Sequence, residues 1–285
     1  MFAIIGALVV VIGVLVGYMI AGGPIGVLLQ VSEFIVIGGA AGGSLLIATP
    51  SKVLRSLKDQ LPQVFKGSKY TKETYVELLR MLYELFVAGK KGGMLSLEEH
   101  VNNPEGSAIF TKYPGFIHSH HAVDFLCDAL KLMINSGLRP DEVESLMDSE
   151  LDAHHEEAAL PAGVLNKVGD ALPGLGIVAA VLGIIITMQA IDGPVEEIGH
   201  HVAAALVGTF LGVLMSYGFL QPLASNLEHL ARDEGKYCQV IRTALVTFAY
   251  GAAPIVAVEF ARKVIYSADR PTNAELEEAV RQKTG

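Results

Sequence analysis

The chain has no tryptophan, only two cysteines and no charged side chain before Glu33, and each shortage excludes a class of protein. Cys127 and Cys238 stand alone, without CxxC or zinc-finger spacing. A disulfide-stapled secreted scaffold is therefore excluded, and both read as buried thiols of a reducing compartment. Lys and Arg total 21 against 30 Asp and Glu, a net charge of -9, so no basic patch exists to grip a polyanion. Nucleic-acid binding is set aside. The P-loop, the GxGxxG fingerprint, the GxSxG elbow and the kinase signature are also missing. The chain therefore reads as no enzyme, with no catalytic residue to name.

What the chain has in excess is apolar surface. With 51% hydrophobic and 18% charged residues and a mean hydropathy of +0.44, it is too apolar for a soluble domain of 285 residues. Phe2–Ile20 is long enough to cross a hydrocarbon core of about 30 Å. No Lys or Arg precedes it and no cleavage site follows, so it is expected to stay in the mature protein. A second apolar run, 27–48, follows the turn Gly22-Gly23-Pro24 and contains only Gln30 and Glu33 as polar residues of note. The third and fourth runs, 168–190 and 202–219, are joined by a short acidic segment. Residues 240–258 are also apolar, but Arg242 and the Gly251 to Pro254 breaker place them outside the membrane or at its surface.

Lys and Arg fix the orientation. Residues 51–167 carry thirteen and residues 223–285 carry eight, which accounts for all 21, while the loops after the first and third spans carry none. The positive-inside rule puts both termini and the middle segment in the cytoplasm. The expected fold is an all-α integral membrane protein with four transmembrane helices and a large helical cytoplasmic domain. Its segments are 1–50 (spans one and two), 51–167 (cytoplasmic helical domain), 168–222 (spans three and four) and 223–285 (cytoplasmic helical tail).

Within the middle segment, 75–87 and 122–134 have apolar residues at helical spacing. Lys90-Lys91-Gly92-Gly93 marks a helix end, and Ser96 with Glu99 forms a capping-box pattern at the next helix start. Tyr113-Pro114-Gly115 marks a turn. The acidic stretch 141–157 and the tail after Pro271 read as solvated helix faces. His118, His120 and His121 cluster, and His154-His155 precede Glu156-Glu157. No HExxH exists, and neighbouring histidines on a helix point about 100° apart, so no metal site is expected.

Spans three and four each carry a face of small residues: Pro173, Gly176, Ala180, Gly183 and Thr187 on one, Ala205, Thr209, Gly212 and Ser216 on the other. Such stripes either pack two helices closely or line a path for a helix, water or an ion. A hydroxyl such as Thr209 cannot carry a proton current alone, and Glu33 and Asp170 lie near span ends. If the chain conducts ions, a partner must bring the carboxylate. Pro173 and Pro222 fall at one level of the membrane, as helix terminators or as hinges, and the terminator is favoured by the residues alone.

The segments GYMIAGGPIGVLLQ, VGDALPGLGIVAAVLG, VGTFLGVLMSYGFLQPLA and AVEFARKVIYSADRP together resemble the MotA family of bacterial flagellar stator proteins, and the resemblance covers essentially the whole chain. It implies an inner-membrane protein that forms a pentamer around two copies of MotB, whose membrane helix carries the proton-accepting aspartate. By position, Thr209 and Ala180 match residues beside the ion path. Sodium-driven relatives have threonine at the second, so protons are the expected coupling ion, with no cofactor. Pro173 and Pro222 match the two prolines linked to torque, and Lys90 and Glu98 match the charges that meet the rotor protein FliG. The family typically has arginine where this chain has Lys90, which keeps the charge but loses the bidentate fork. An ExbB or TolQ type energiser of an outer-membrane system is the alternative, although those relatives typically have three membrane helices. A solute transporter is disfavoured, because no internal repeat or charged membrane ligand appears.

Overall fold

The computed structural model describes residues 2–189 and 191–281. Among these the regular structure is helical throughout, in thirteen α-helices. The chain clusters into two compact units, Met1–Gly67 with Ala158–Leu230, and Ser68–Glu157 with Ala231–Gly285. Residues 51–67, 158–167 and 223–230 thus pack with the membrane spans.

The first unit begins with α1 (Phe2–Ile20), which has no buried residue. A helix that is apolar all round and exposed all round is solvated by something other than water. The turn after it is forced by glycine: Gly22 has φ +81, and a side chain at position 23 would strike the Tyr18 ring. The second span is interrupted where the sequence suggests one helix. A short α2 (Ile25–Leu28) ends at Leu29, and α3 (Val31–Ala48) starts afresh after Gln30, whose amide donates back to the Val27 carbonyl at 3.1 Å. The amphipathic α4 (Ser51–Lys66) follows.

Helix α5 (Lys72–Gly92) is the axis of the second unit, with Leu78, Leu79, Met81, Leu82, Leu85 and Phe86 fully buried. Gly93, at φ +77, ends it as the glycine pair suggests. Ser96 does not cap the next helix. A 3₁₀ turn over Met94–Leu97 intervenes, α6 (Glu98–Asn102) starts later, and the Ser96 hydroxyl donates to the Ala88 and Gly93 carbonyls instead. The last carbonyls of α5 need donors, and Ser96 supplies one. Next come α7 (Pro114–Ile117), begun by the proline, and α8 (His120–Ser136).

Helix α9 (Pro140–Gln189) runs for 50 residues from the acidic stretch into the third span, about 75 Å at the standard rise. Ala190, the last residue of that predicted span, lies outside the described residues. The fourth span is α10 (Val195–Met215), continued through a π-helical turn over Ser216–Leu220 into α11 (Gln221–Ala249). Then α12 (Pro254–Val264) and α13 (Asn273–Arg281) pack on α5. Among the described residues four helical stretches are long and apolar enough to cross a membrane: Phe2–Ile20, Ile25–Ala48, Pro140–Gln189 and Val195–Ala249.

The core of the first unit joins α3, α9 and α10 through Ile37, Ala41, Leu172, Ala179, Val207 and Leu211. Its closest approaches are glycine against backbone. A methyl at Gly176 would lie 2.8 Å from the Gly208 carbonyl oxygen, one at Gly183 2.9 Å from Ala205 Cβ, and one at Gly212 2.5 Å from the Leu172 carbonyl oxygen. The small-residue stripes therefore pack spans three and four on each other. Gly208, absent from the expected stripe, belongs to it.

The second unit is closed by aromatic packing, with Phe86 stacked on Phe248 at 4.4 Å, and by arginines that join helices. Arg242 on α11 bonds Asp148 and Glu144 on α9 at 2.7–2.9 Å. Arg262 is buried, chelates Glu259 at 2.6 and 2.7 Å, and donates to the Pro271 carbonyl at 2.8 Å.

Three outcomes follow. Gly212→Ala is expected to cost about 1–3 kcal/mol, since only backbone faces the new methyl. Gly174→Ala, inside α9 with nothing within 4 Å, is expected to hold or slightly raise the thermal midpoint in detergent. Arg262→Met is expected to cost about 1.5–3 kcal/mol. Arg262 holds the Glu259 carboxyl below the usual carboxylate range. The pair's contribution is therefore complete above that range and lost as pH falls through the lowered value, so melts in acid should bring wild type and variant together.

Candidate functional site

The prolines do not end their helices. Pro173 lies inside α9, as does Pro161, and the chain stays helical on both sides. Pro222 is the second residue of α11, after the π turn. The terminator expectation is thereby overturned for both. A proline cannot donate to the carbonyl four residues back and its ring presses on it. Before Pro222 the helix answers by widening, and the Gln221 N–H bonds the Ser216 carbonyl five residues back. In α9 the turn leading into Pro173 meets α11 itself. A side chain at Gly169 would lie 3.2 Å from Gln221 Cγ, and Gln221 Nε2 donates to Asp170 Oδ1 at 2.9 Å. The residue before Pro222 thus rests on the turn that Pro173 disrupts, so the structure brings the two proline-bearing turns together.

Ala180 and Thr209 occupy the same helix pair. The Ala180 backbone nitrogen lies 3.2 Å, and Ala179 Cβ 3.1 Å, from where a Gly208 side chain would begin. Thr209 Cα is 3.3 Å from the corresponding point on Gly176. Ala180 and Thr209 are half-buried and flank this crossing. Thr187 is buried and spends its hydroxyl on the Gly183 carbonyl at 2.8 Å. Ser216, fully buried at the start of the π turn, has a hydroxyl with no hydrogen-bond partner among the described residues.

Sequence reasoning missed the role of Glu33. It sits in the first turn of α3, as its position near the span end suggests, yet it is buried, and its Oε2 lies 2.6 Å from the point a Gly208 side chain would occupy. That oxygen has no hydrogen-bond partner among the described residues. A single acid in an apolar run was the available signal. The glycine at 208 therefore makes room for a carboxylate as well as for α9.

Lys90 and Glu98 lie in the second unit. Lys90 ends α5 and Glu98 begins α6, both exposed, and neither has an ion-pair partner among the described residues. The link between them is stiff. Leu97 is fully buried and lies against Gly89, which also meets Phe248. Two free opposite charges are thus presented from one rigid corner.

The histidines behave differently from their spacing. His121 on α8 and His154 on α9 stack at 3.9 Å, and Glu234 on α11 joins them. Adjacent histidines do diverge, but tertiary packing supplies the convergence that one helix cannot.

Residues 4–93 match the family described as motility protein A N-terminal, and residues 119–239 match the MotA/TolQ/ExbB proton channel family. The chain is 42% identical to motility protein A of Salmonella typhimurium over 281 residues, 99% of this chain and 95% of that one. It shares its fold with the MotAB structure from C. jejuni, at a TM-score of 0.78 and 23% identity over 95% of this chain and 98% of the other. The flagellar MotAB stator complex from Bacillus subtilis gives a TM-score of 0.70 at 23% identity, covering 90% and 92%. With four apolar spans, a glycine crossing between the last two and this likeness along nearly its whole length, the chain belongs to the motility protein A family.

Proposed function

We propose that this chain, a flagellar stator subunit, passes protons beside the α9–α10 crossing and converts each passage into torque on the rotor protein FliG. The observation that carries the reading is the 42% identity to motility protein A over 99% of the chain. The Bacillus subtilis relative is a flagellar MotAB stator complex. This supports a MotB-type partner here and assembly from several copies, in our reading a pentamer around a MotB dimer in the bacterial inner membrane. Both termini face the cytoplasm, as the distribution of Lys and Arg supports.

Ala180 and Thr209 stand along the ion path, and the aspartate of the MotB helix accepts the proton. Each charge crossing 100 mV yields about 2.3 kcal/mol, enough to bias a step between two packings of the partner helix. Pro173 and Pro222 are where the step is transmitted, since both turns have given up regular hydrogen bonds and touch through Gln221. Lys90 and Glu98 push the rotor. Free surface charges on a stiff corner orient a partner without holding it tightly, which suits a contact remade at every step. The N-terminal match over residues 4–93, specific to motility protein A, favours this reading over the ExbB and TolQ alternative.

A deletion strain is expected to build normal filaments that do not turn, with swimming restored by the gene on a plasmid and indifferent to external sodium. Stained filaments and swimming speed by light microscopy check this, and speed that follows the sodium gradient refutes proton coupling. Reversing the charges together, Lys90→Glu with Glu98→Lys, is expected to slow swimming severalfold while the complex purifies intact. Loss of the complex itself would remove the rotor-contact role.

A further inference from the structure

The second unit contains a convergence of side chains that torque generation does not use. His121 comes from α8, His154 from α9 and Glu234 from α11, and one ligand atom of each lies within 4.8 Å of the other two. We propose that His121, His154 and Glu234 form a binding site for a divalent transition-metal ion of the zinc type, which clasps three helices of this unit together.

Geometry and hydrogen bonding carry the inference. His154 Nε2 is completely buried and has no hydrogen-bond partner among the described residues. A polar nitrogen left so costs free energy that a helix core normally avoids, and a metal bond removes that cost. Its ring lies face to face with that of His121, at 3.9 Å and 23°, which leaves the nitrogen unsatisfied. The other His121 nitrogen is accounted for, because Nδ1 is 3.5 Å from Cys238 Sγ. The tautomer of His121 that carries its proton on Nδ1, toward that sulfur, is the one that leaves the Nε2 lone pair free for a metal. Ligating histidines are held in this way by an outer partner.

The helices are brought close at this level by a second device. The His155 ring fills the space where a side chain at Gly235 would begin, so α9 and α11 approach over glycine beside Glu234. The three ligands come from residues 33 and 80 positions apart in sequence, which is why no spacing motif announces them.

The donor set selects the ion. Two imidazoles and one carboxylate suit zinc and its borderline neighbours, whereas calcium and magnesium call for oxygen alone. Bonds of about 2.0–2.2 Å in a tetrahedron set ligand atoms about 3.4 Å apart. The ligand atoms observed, within 4.8 Å of one another, are drawn together when the ion binds. Two neutral imidazoles and a carboxylate sum to one negative charge, which favours a cation. Three protein ligands leave a fourth position for water.

The test uses the full-length chain in detergent, purified with an affinity tag that lacks histidine, stripped with a chelator and titrated calorimetrically with zinc chloride. One zinc per chain is expected, with a raised thermal midpoint, and cobalt chloride is expected to give the intense visible bands of a tetrahedral ion. His154→Gln and the near-isosteric Glu234→Gln are each expected to weaken zinc at least tenfold, while the pair His200→Gln and His201→Gln changes nothing. The absence of saturable zinc binding to the wild-type chain overturns the site. So does binding that survives both His154→Gln and Glu234→Gln. Should a variant melt early without metal, the wild-type cobalt spectrum decides, and an octahedral spectrum counts against the clasp.

Discussion

The first unit depends on backbone meeting backbone where α9 crosses α10. Between helices in lipid the hydrophobic effect supplies no net attraction, because a lipid tail is as apolar as a leucine side chain. Close van der Waals contact has to hold the pair, and Gly176, Gly208 and Gly212 permit it. The bulky residues are turned the other way: Ile177, Val178, Ile184, Ile185 and Leu206 are all exposed. The same glycines determine what stands at the crossing. Ala180 and Thr209 flank it because their neighbours are small, and the Glu33 carboxylate fits only because position 208 has no side chain.

The prolines show a related economy. In a soluble helix the two carbonyls left without an N–H would accept from water, and in a membrane span they must be met by protein. One is absorbed by a wider turn over Ser216–Leu220, and the other lies where Gln221 packs on Gly169 and bonds Asp170. Regular hydrogen bonding is weakest where the two helices touch at this level, and a motion between two packings has the least to break there.

The sequence announced the spans because charge is costly in a bilayer and its absence can be counted, as in Phe2–Ile20. The close packing of spans three and four was half legible. Gly176, Gly183 and Gly212 stand in the rows read from the sequence, whereas Gly208, also at helical spacing between Ala205 and Gly212, was passed over in favour of its neighbour Thr209. The exposed corner at Lys90 and Glu98 was visible from Gly92-Gly93, while the Ser96 cap was not, since the preceding carbonyls took that hydroxyl. Proline was misread as a stop because local propensity cannot know that a neighbouring helix will stand beside the damaged turn. The histidine cluster lay beyond any local rule, its members joined only by the packing of α8, α9 and α11.

The wide turn over Ser216–Leu220 also acts on phase. A π turn inserts one residue, which rotates everything after it by about 100° relative to an unbroken α-helix. The row that begins at Ala205 and Thr209 therefore cannot be extrapolated past Leu220, and side chains of α11 face directions that a single helical wheel drawn from Val195 onward assigns to other residues. Relatives that shorten this turn by one residue would restore the regular wheel and swing the whole of α11 to a new azimuth. Spacing between span four and the following helix is thus a mechanical dimension of this architecture, as much as the identity of any residue in it.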